Sequence, residues 1–246
     1  QRGIEPSAIT MTNGGGTFDV PVAEWVIFGL LWHAKRAATL VRQQQARRWQ
    51  PVRPLELTER TLAIVGLGRI GTAVALRARA LGMRVLGIRR HPEYGRPAPL
   101  ADDEGVTVAG PNGLAATLAG HTVDALALTA AATTETTGLI GSAELAALQP
   151  DSVVINVGRG DLLDEQALRR ALDNGPVSGA VLDVFTEEPL PDASPWWDRE
   201  DVLVSPHDSW YSPHVRQRAE ALAVDNLTRY RTEQPLRNVV DWQRGY

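Results

Sequence analysis

The sequence predicts an α/β protein built on a doubly wound parallel sheet. Six short apolar runs occur between residues 61 and 204, and helical patterns separate them. A glycine-rich turn of the form GxGxxG follows the first run and opens the next helix. Strands covered on both faces are continuously apolar, and parallel strands need long crossovers, so these observations favour one architecture.

The apolar runs predict six strands, at 61–65, 84–88, 123–128, 152–156, 180–184 and 202–204. The helices between them are expected at about 70–82, 111–119, 142–149 and 164–173. Beyond the last strand, prolines lead into a predicted amphipathic helix at about 213–232.

A long helix is predicted before the sheet, from Pro21 to about residue 45. Asp19 can cap it, and Pro21 suits the first helical position. The segment 25–32 is apolar on every face, so we expect this helix to be buried all round by its own chain or by a partner. A polar segment, 42–53, then reads as a connection between structural units.

Composition excludes several chemistries. The 246 residues include no cysteine, which rules out disulfides, thiolate nucleophiles and cysteine-ligated metals, and no metal site is predicted. Lys35 is the only lysine, so anion recognition must rely on arginine. The net charge of −4 argues against nucleic-acid binding, and no apolar run is long enough to span a membrane. Without a signal pattern, a cytoplasmic protein is the default expectation.

The glycine-rich turn predicts dinucleotide binding in a Rossmann-type domain. Gly66 would make the tight turn, Gly68 would let a pyrophosphate approach, and Gly71 would let helix and strand pack closely. Arg69 and Ile70 complete the turn at the helix N-terminus, where free N–H groups favour phosphate. The alternative is an ordinary glycine-rich turn, which the strand and helix on either side disfavour.

The second strand ends in Arg89 and Arg90 instead of an acid. A carboxylate there would accept the ribose hydroxyls of NAD, whereas guanidinium groups donate to the 2′-phosphate of NADP. The residues therefore favour NADP(H), with NAD as the alternative if the arginines are merely solvated. Asp102 and Asp103 lie too far along the chain to replace the acid.

Three candidate catalytic residues follow three successive strands, namely Arg159, Glu188 and His207. Ligands of open α/β sheets bind beyond the carboxyl ends of the strands, so the three side chains are expected to converge. A cation can hold a substrate carboxylate, and a histidine can protonate a carbonyl oxygen during hydride transfer. Taken alone, His207 would read as a surface histidine.

The chain resembles the D-isomer-specific 2-hydroxyacid dehydrogenases from about residue 3 to residue 240. The resemblance rests on ordered motifs: PVAE (21–24), TLAIVGLGRIG (61–71), ETTGLI (135–140), NVGRG (156–160), LD (163–164), GAVLDVF (179–185), EPL (188–190) and SPH (205–207).

This resemblance implies roles for particular residues. His207 would exchange a proton with the substrate oxygen, Glu188 would stabilise the protonated imidazole, and Arg159 would hold the substrate carboxylate. Asp183 would face the nicotinamide carboxamide. The remaining expected cofactor contacts are Thr129, Ala130, Thr136, Val157, Gly158 and Ser209.

The resemblance also implies three segments. Residues 1–50 would be a remnant of a flavodoxin-like substrate domain with the crossing helix, 51–210 the dinucleotide domain, and 211–246 a helix returning to the substrate domain. Because Gln1 falls in mid-pattern, we expect most of the substrate domain to precede it. The helix at 21–45 would form a homodimer interface.

Three positions depart from the family pattern. Ala131-Ala132 stands where Pro-Leu is usual, Asp208 follows the histidine where an apolar residue is common, and Arg89-Arg90 replaces the usual acid. The last change is known among NADP-using glyoxylate/hydroxypyruvate reductases.

The function expected by resemblance is NADP(H)-preferring reduction of a small 2-keto acid, such as glyoxylate or hydroxypyruvate, to a D-2-hydroxy acid. Three alternatives stay open: a D-3-phosphoglycerate dehydrogenase, a dinucleotide-sensing corepressor of the same fold, and a chain that binds cofactor without turnover.

Overall fold

Seven parallel strands form one sheet in residues 9–242, the part of the chain that the computed structural model describes. In sheet order they are β3 (Val106–Ala109), β2 (Arg84–Ile88), β1 (Thr61–Val65), β4 (Val123–Leu128), β5 (Ser152–Asn156), β6 (Val177–Leu182) and β7 (Val202–Val204). The chain runs outward from β1 to β3, then returns to β4 and continues the other way. The doubly wound α/β prediction is confirmed.

Five of the six predicted strands have the predicted bounds, and two details of the prediction were wrong. The remaining predicted strand corresponds to β6, which covers 177–182 instead of 180–184, because Val177 already pairs with Ser152 and Asp183 lies beyond the last paired residue. Strand β3 was missed. It lies at the sheet edge, pairs only with β2, and buries Val106 alone of its four residues, so its sequence lacks a continuous apolar run.

Helices cover both faces of the sheet. The helices α4 (Leu114–Gly120), α5 (Ser142–Ala146) and α6 (Glu165–Asn174) pack on one side, and α3 (Arg69–Ala80) packs on the other. Alternate residues of β1 supply the two cores: Ala63 and Val65 join one, Leu62 and Ile64 the other. The four crossover helices were predicted, with ends that differ by a few residues.

The predicted single helix over 21–45 is wrong, since it divides into α1 (Asp19–Ala34) and α2 (Ala37–Gln45). Arg36 has a positive φ of 55° at the break, and its guanidinium pairs with Asp151. Phe18, not Asp19, precedes the first helical residue, and no side-chain bond caps the helix. The ion pair joins residues far apart in the chain, so a local sequence pattern could not predict it, and it lies at the break between α1 and α2.

Only one face of α1 is buried within the chain. Val26 and Leu30 are buried against the sheet and α3. The rings of Trp25, Phe28 and Trp32 contact one another along the helix, and they run from half-buried Trp25, which packs against the same core, to exposed Phe28. Their centroids are 5.5 and 5.7 Å apart, and Phe28 is 41% exposed. This chain by itself therefore buries one side of α1 and does not provide the all-round burial that was expected from the chain or a partner.

The predicted C-terminal helix is α7 (Pro213–Arg231), capped by Ser212. It is largely exposed, with Val215 as its buried residue. Thr12 pairs with Val239 in an antiparallel bridge, which joins the two ends of the described chain. Residues 1–8 of the predicted segment 1–50, which include Gln1 and Gly3, and residues 243–246 of the predicted segment 211–246 lie outside the described residues. No helix within 9–242 is long and apolar enough to cross a membrane.

Candidate active site

The predicted site residues gather at the edge of the sheet where the parallel strands end. This follows from topology, because the carboxyl ends of parallel strands share one edge. The loops after β1, β2 and β4 form a groove, and the loops after β5, β6 and β7 carry the candidate catalytic side chains.

The turn after β1 requires glycine at two of the three glycine positions of the GxGxxG motif. Gly66 has φ +105°, and a Cβ there would lie 2.5 Å from the backbone nitrogen of Ala130. A Cβ on Gly71 would lie 2.3 Å from the carbonyl oxygen of Gly66. Gly68, by contrast, faces open space, and it precedes α3 without any side-chain cap. The structure thus leaves room for a phosphate beside the α3 N-terminus, where first-turn N–H groups lack helical partners.

A groove of about 480 Å³ begins at this turn and runs between the loops after β2 and β4. Seven of the predicted cofactor residues line it: Gly66, Gly68, Arg89, Arg90, Thr129, Ala130 and Thr136. Other lining residues were not predicted as cofactor contacts: Val65, Leu67, Ile88, His91, Tyr94, Pro111, Ala131, Thr133, Glu135 and Leu139. Apolar strand ends and polar loop groups together give it the character of a cofactor site.

The other predicted cofactor residues do not line the groove. Arg69 donates from Nη2 to Asn238 Oδ1 at 3.1 Å, so its guanidinium contacts the C-terminal segment. Ile70 and Val157 pack in the core beneath α1. The Gly158 N–H donates to Asn156 Oδ1 at 3.1 Å. Asp183 and Ser209 lie at the catalytic end, described below.

The two arginines after β2 differ in their surroundings. Arg89 Nη1 donates to the carbonyl oxygen of Gly95 at 2.9 Å, which orients its guanidinium at the groove. Arg90 Nη2 lies 2.5 Å from Glu135 Oε2, on the loop after β4. Both cations therefore face the groove, and one of them pairs with a carboxylate across it.

His207 and Glu188 form a hydrogen-bonded pair. His207 Nδ1 lies 2.8 Å from Glu188 Oε2, and Glu188 Oε1 accepts the Phe185 N–H at 2.9 Å. Partial burial works to raise the pKa of Glu188, but these hydrogen bonds and the nearby charges of His207 and Arg159 outweigh it and lower the pKa. Because an ionised carboxylate only accepts, His207 Nδ1 carries the donated proton and Nε2 is left for another partner.

Arg159 is held beside this pair by its own tight turn. Asn156 is buried, and its Nδ2 donates to the Arg159 carbonyl oxygen at 3.0 Å. At the next position, a Cβ on Gly160 would lie 2.0 Å from the Phe185 backbone, so only glycine allows the loops after β5 and β6 to touch. Arg159 is exposed, its Nη1 donates to the carbonyl oxygen of Gly158 at 2.6 Å, and its charge contributes to lowering the pKa of Glu188. The structure pairs His207 with Glu188, and Arg159 acts on this pair through its charge.

Asp183 holds the loop that carries His207. Its fully buried carboxylate accepts Ser205 Oγ at 2.6 Å, the Asp208 N–H at 3.0 Å and the Ser209 N–H at 3.1 Å. His207 itself has φ 55°, a conformation that costs free energy for a residue with a side chain. The carboxylate of Asp183 therefore stabilises a strained loop, a task that the sequence motif did not reveal.

The sequence motifs already contained the two residues whose contacts were not predicted, Glu135 and Asp183. Glu135 begins the ETTGLI motif, and Asp183 lies within GAVLDVF, but neither motif states which side chain faces which partner. Within residues 9–242, no three His, Cys, Asp or Glu side chains cluster as a metal site would require.

The chain is similar to known proteins over most of its length. The model of the NAD binding domain of D-isomer specific 2-hydroxyacid dehydrogenases matches residues 27–209. A glyoxylate/hydroxypyruvate reductase B of Pectobacterium carotovorum is 38% identical over 213 residues, which are 84% of this chain and 63% of that protein. A glyoxylate reductase of Korarchaeum cryptofilum is 31% identical over 95% of this chain and 69% of its own length. The chain thus spans about two thirds of the length of these relatives.

Among solved structures, one is similar to this chain over nearly the whole length of both chains. It is a D-isomer specific 2-hydroxyacid dehydrogenase from Xanthobacter autotrophicus in complex with NADPH and MES. It is 34% identical with a TM-score of 0.83, and the match covers 97% of this chain and 95% of that one.

Replacement of Asp183 by Asn should destabilise the protein and disorder the His207 loop. The amide can accept through one atom only, so a buried donor is left unpaired, at a cost of about 1–3 kcal/mol. Chemical denaturation of Asp183→Asn and of the wild type measures this. Asp208→Asn is the matched control, since the Asp208 side chain is exposed. Equal unfolding free energies for Asp183→Asn and wild type would contradict the role given to Asp183.

Proposed function

Since the chain belongs to the D-isomer-specific 2-hydroxyacid dehydrogenase family, we propose that it serves as an NADP(H)-preferring oxidoreductase that interconverts a small 2-keto acid and its D-2-hydroxy acid. The observation that carries the proposal is the His207–Glu188 pair with Arg159 beside it at the carboxyl edge of the sheet. Substrates of the glyoxylate or hydroxypyruvate type are favoured by the names of the curated relatives.

The protein's own groups would move the proton of this reaction. A bound nicotinamide dinucleotide supplies or accepts the hydride. With Nδ1 donating to Glu188, His207 presents Nε2 to the substrate and donates its proton to the keto oxygen, or removes the hydroxyl proton in reverse. The negative charge of Glu188 stabilises the imidazolium before it gives up the proton.

Arg159 would bind and polarise the substrate. Its guanidinium can bind a carboxylate through two parallel hydrogen bonds, which orients the adjacent carbonyl toward His207. Arg159 is exposed, so it is accessible to a small acid, and its backbone turn is held by buried Asn156.

The groove would hold the cofactor. Gly66, Gly68 and the N-terminus of α3 are suited to a pyrophosphate, and Arg89 and Arg90 are suited to the 2′-phosphate of NADP. Thr129, Ala130 and Thr136 form the facing wall. The NADPH in the Xanthobacter relative supports the choice of cofactor.

A homodimer through α1 completes the proposal. Its support is the row of rings at Trp25, Phe28 and Trp32, which this chain leaves partly exposed. Apolar side chains gathered on one helix face favour burial against a second copy.

NADPH should bind more tightly than NADH, and the arginine pair should be the cause. Charge-assisted bonds to the 2′-phosphate predict a preference of about tenfold to a hundredfold, reduced by Arg89→Ala or Arg90→Ala without loss of NADH binding. Calorimetric titration with both cofactors measures it. Arg96→Ala is the control, because Arg96 bonds to Ala101 outside the groove. Equal affinities of the wild type would defeat the assignment to NADP(H).

Replacement of His207 by Ala should remove 2-keto acid reduction and spare NADPH binding. Loss of a general acid costs about 10²–10⁴-fold in turnover. Absorbance of the reduced nicotinamide with glyoxylate and hydroxypyruvate is the assay, using the complete protein that contains this chain. His214→Ala, at the exposed start of α7, is the control. Near-normal turnover of His207→Ala would remove His207 from the acid role, and wild type that binds NADPH yet reduces no 2-keto acid would favour a cofactor-sensing protein.

Replacement of Phe28 by Glu should convert the dimer to a monomer. A charge in the centre of the row of rings cannot be buried without a large desolvation cost. Light scattering coupled to gel filtration gives the mass, and Leu81→Glu, at the exposed end of α3, is the control. A monomeric wild type at micromolar concentration would refute the dimer.

A further inference from the structure

Glu135 places a carboxylate opposite the arginine pair in the cofactor groove. Its Oε2 lies 2.5 Å from Arg90 Nη2, and both residues line the groove of about 480 Å³. The acid expected at the end of β2 is absent there, but the loop after β4 supplies one from the opposite wall.

The turn that carries Glu135 is held by its own hydrogen bonds. The Thr133 N–H donates to Thr136 Oγ1 at 2.8 Å, and Thr136 Oγ1 donates to the carbonyl oxygen of Ala131 at 2.8 Å. Thr137 Oγ1 donates to the carbonyl oxygen of Thr133 at 3.0 Å. Because residues on both sides of Glu135 are bonded into the turn, these bonds fix the backbone of Glu135 at the wall of the groove that it lines.

A carboxylate and a 2′-phosphate are competing anions for one guanidinium. Arg90 can reach a phosphate only with Glu135 displaced or with two like charges held close together, and either arrangement costs free energy. The 2′-hydroxyl of NAD(H) carries no charge, and it can donate a hydrogen bond to a carboxylate. The Glu135 carboxylate therefore opposes binding of the NADP(H) phosphate and can favour binding of the NAD(H) hydroxyl.

We propose that Glu135 is a cofactor-selectivity residue whose carboxylate competes with the 2′-phosphate of NADP(H) for Arg90. It reduces the NADP(H) preference below the level that Arg89 and Arg90 alone would set. The inference rests on the proposed function, in which this arginine pair binds the phosphate. Arg89, which is anchored by the Gly95 carbonyl, has no part in the competition.

The competition should be modest and sensitive to salt. The Glu135 side chain is 68% exposed and that of Arg90 is 35% exposed. Exposed ion pairs are weak and are screened by added salt, so removal of the carboxylate should strengthen NADPH binding about two- to fivefold at low ionic strength.

The test is a binding measurement on the wild type and a set of variants. Dissociation constants for NADPH and NADH are measured by calorimetry for wild type, Glu135→Gln, Arg90→Ala and the double variant, at low and high salt. Glu220→Gln is the matched control, because it breaks the exposed Arg216–Glu220 pair on α7 with the same charge change. Glu135→Gln is expected to tighten NADPH binding two- to fivefold, to leave NADH binding equal or weaker, and to lose most of the gain in high salt and in the Arg90→Ala background.

The outcomes separate the two proposals. An unchanged NADPH constant for Glu135→Gln, or an equal gain in the Arg90→Ala background, would overturn the competition even if wild type prefers NADPH. A wild type whose NADPH binding is unaffected by either Arg89→Ala or Arg90→Ala would instead overturn the phosphate assignment on which the inference rests. An equal gain for Glu220→Gln would show that net charge alone is responsible, and would also overturn it.

Discussion

Burial of the parallel sheet on both faces is the constraint from which the other features of this protein follow. Strands β1, β4 and β5 are almost wholly buried, so helices must cover each side and every crossover must return the chain in the same direction. As a consequence, all strands end at one edge. Polar groups that have no place in the two cores collect there, and so do the loops that can meet a ligand.

At this edge, buried groups orient the more exposed ones. The side chains of His207 and Glu188 are 38% and 36% exposed, whereas Asp183 is fully buried. A buried carboxylate must have its hydrogen bonds satisfied, so Asp183 binds the loop after β7 firmly and imposes the strained conformation of His207. The groups suited to chemistry thus remain accessible while rigid neighbours determine where they point.

Arginine carries nearly all the positive charge of a chain with one lysine, and the exposure of its partners differs between the groove and the rest of the surface. Arg36 pairs with Asp151 and Arg79 with Asp103 away from the groove, and each of these arginine side chains is 28% exposed. Arg90 pairs with the far more exposed Glu135 at the groove itself. A loosely held carboxylate can be exchanged for another anion more readily than a well-packed one, because water already solvates it.

The sequence alone was enough for the fold class, for the bounds of five strands and for the glycine-rich turn between β1 and α3. It also placed Arg159, Glu188 and His207 in the loops after three successive strands. Each of these depends on a local pattern: continuous apolar runs, a glycine spacing, or polar residues at strand ends. Strand β3 and the break at Arg36 were not predicted, since an edge strand is too short and half-exposed to have a pattern and the break coincides with a contact to distant Asp151. The contacts of Asp183 and Glu135 join residues from separate loops. The sequence shows which residues stand at positions 183 and 135. It does not show which side chains they contact, because those contacts depend on how the crossovers bring separate loops together in the folded protein.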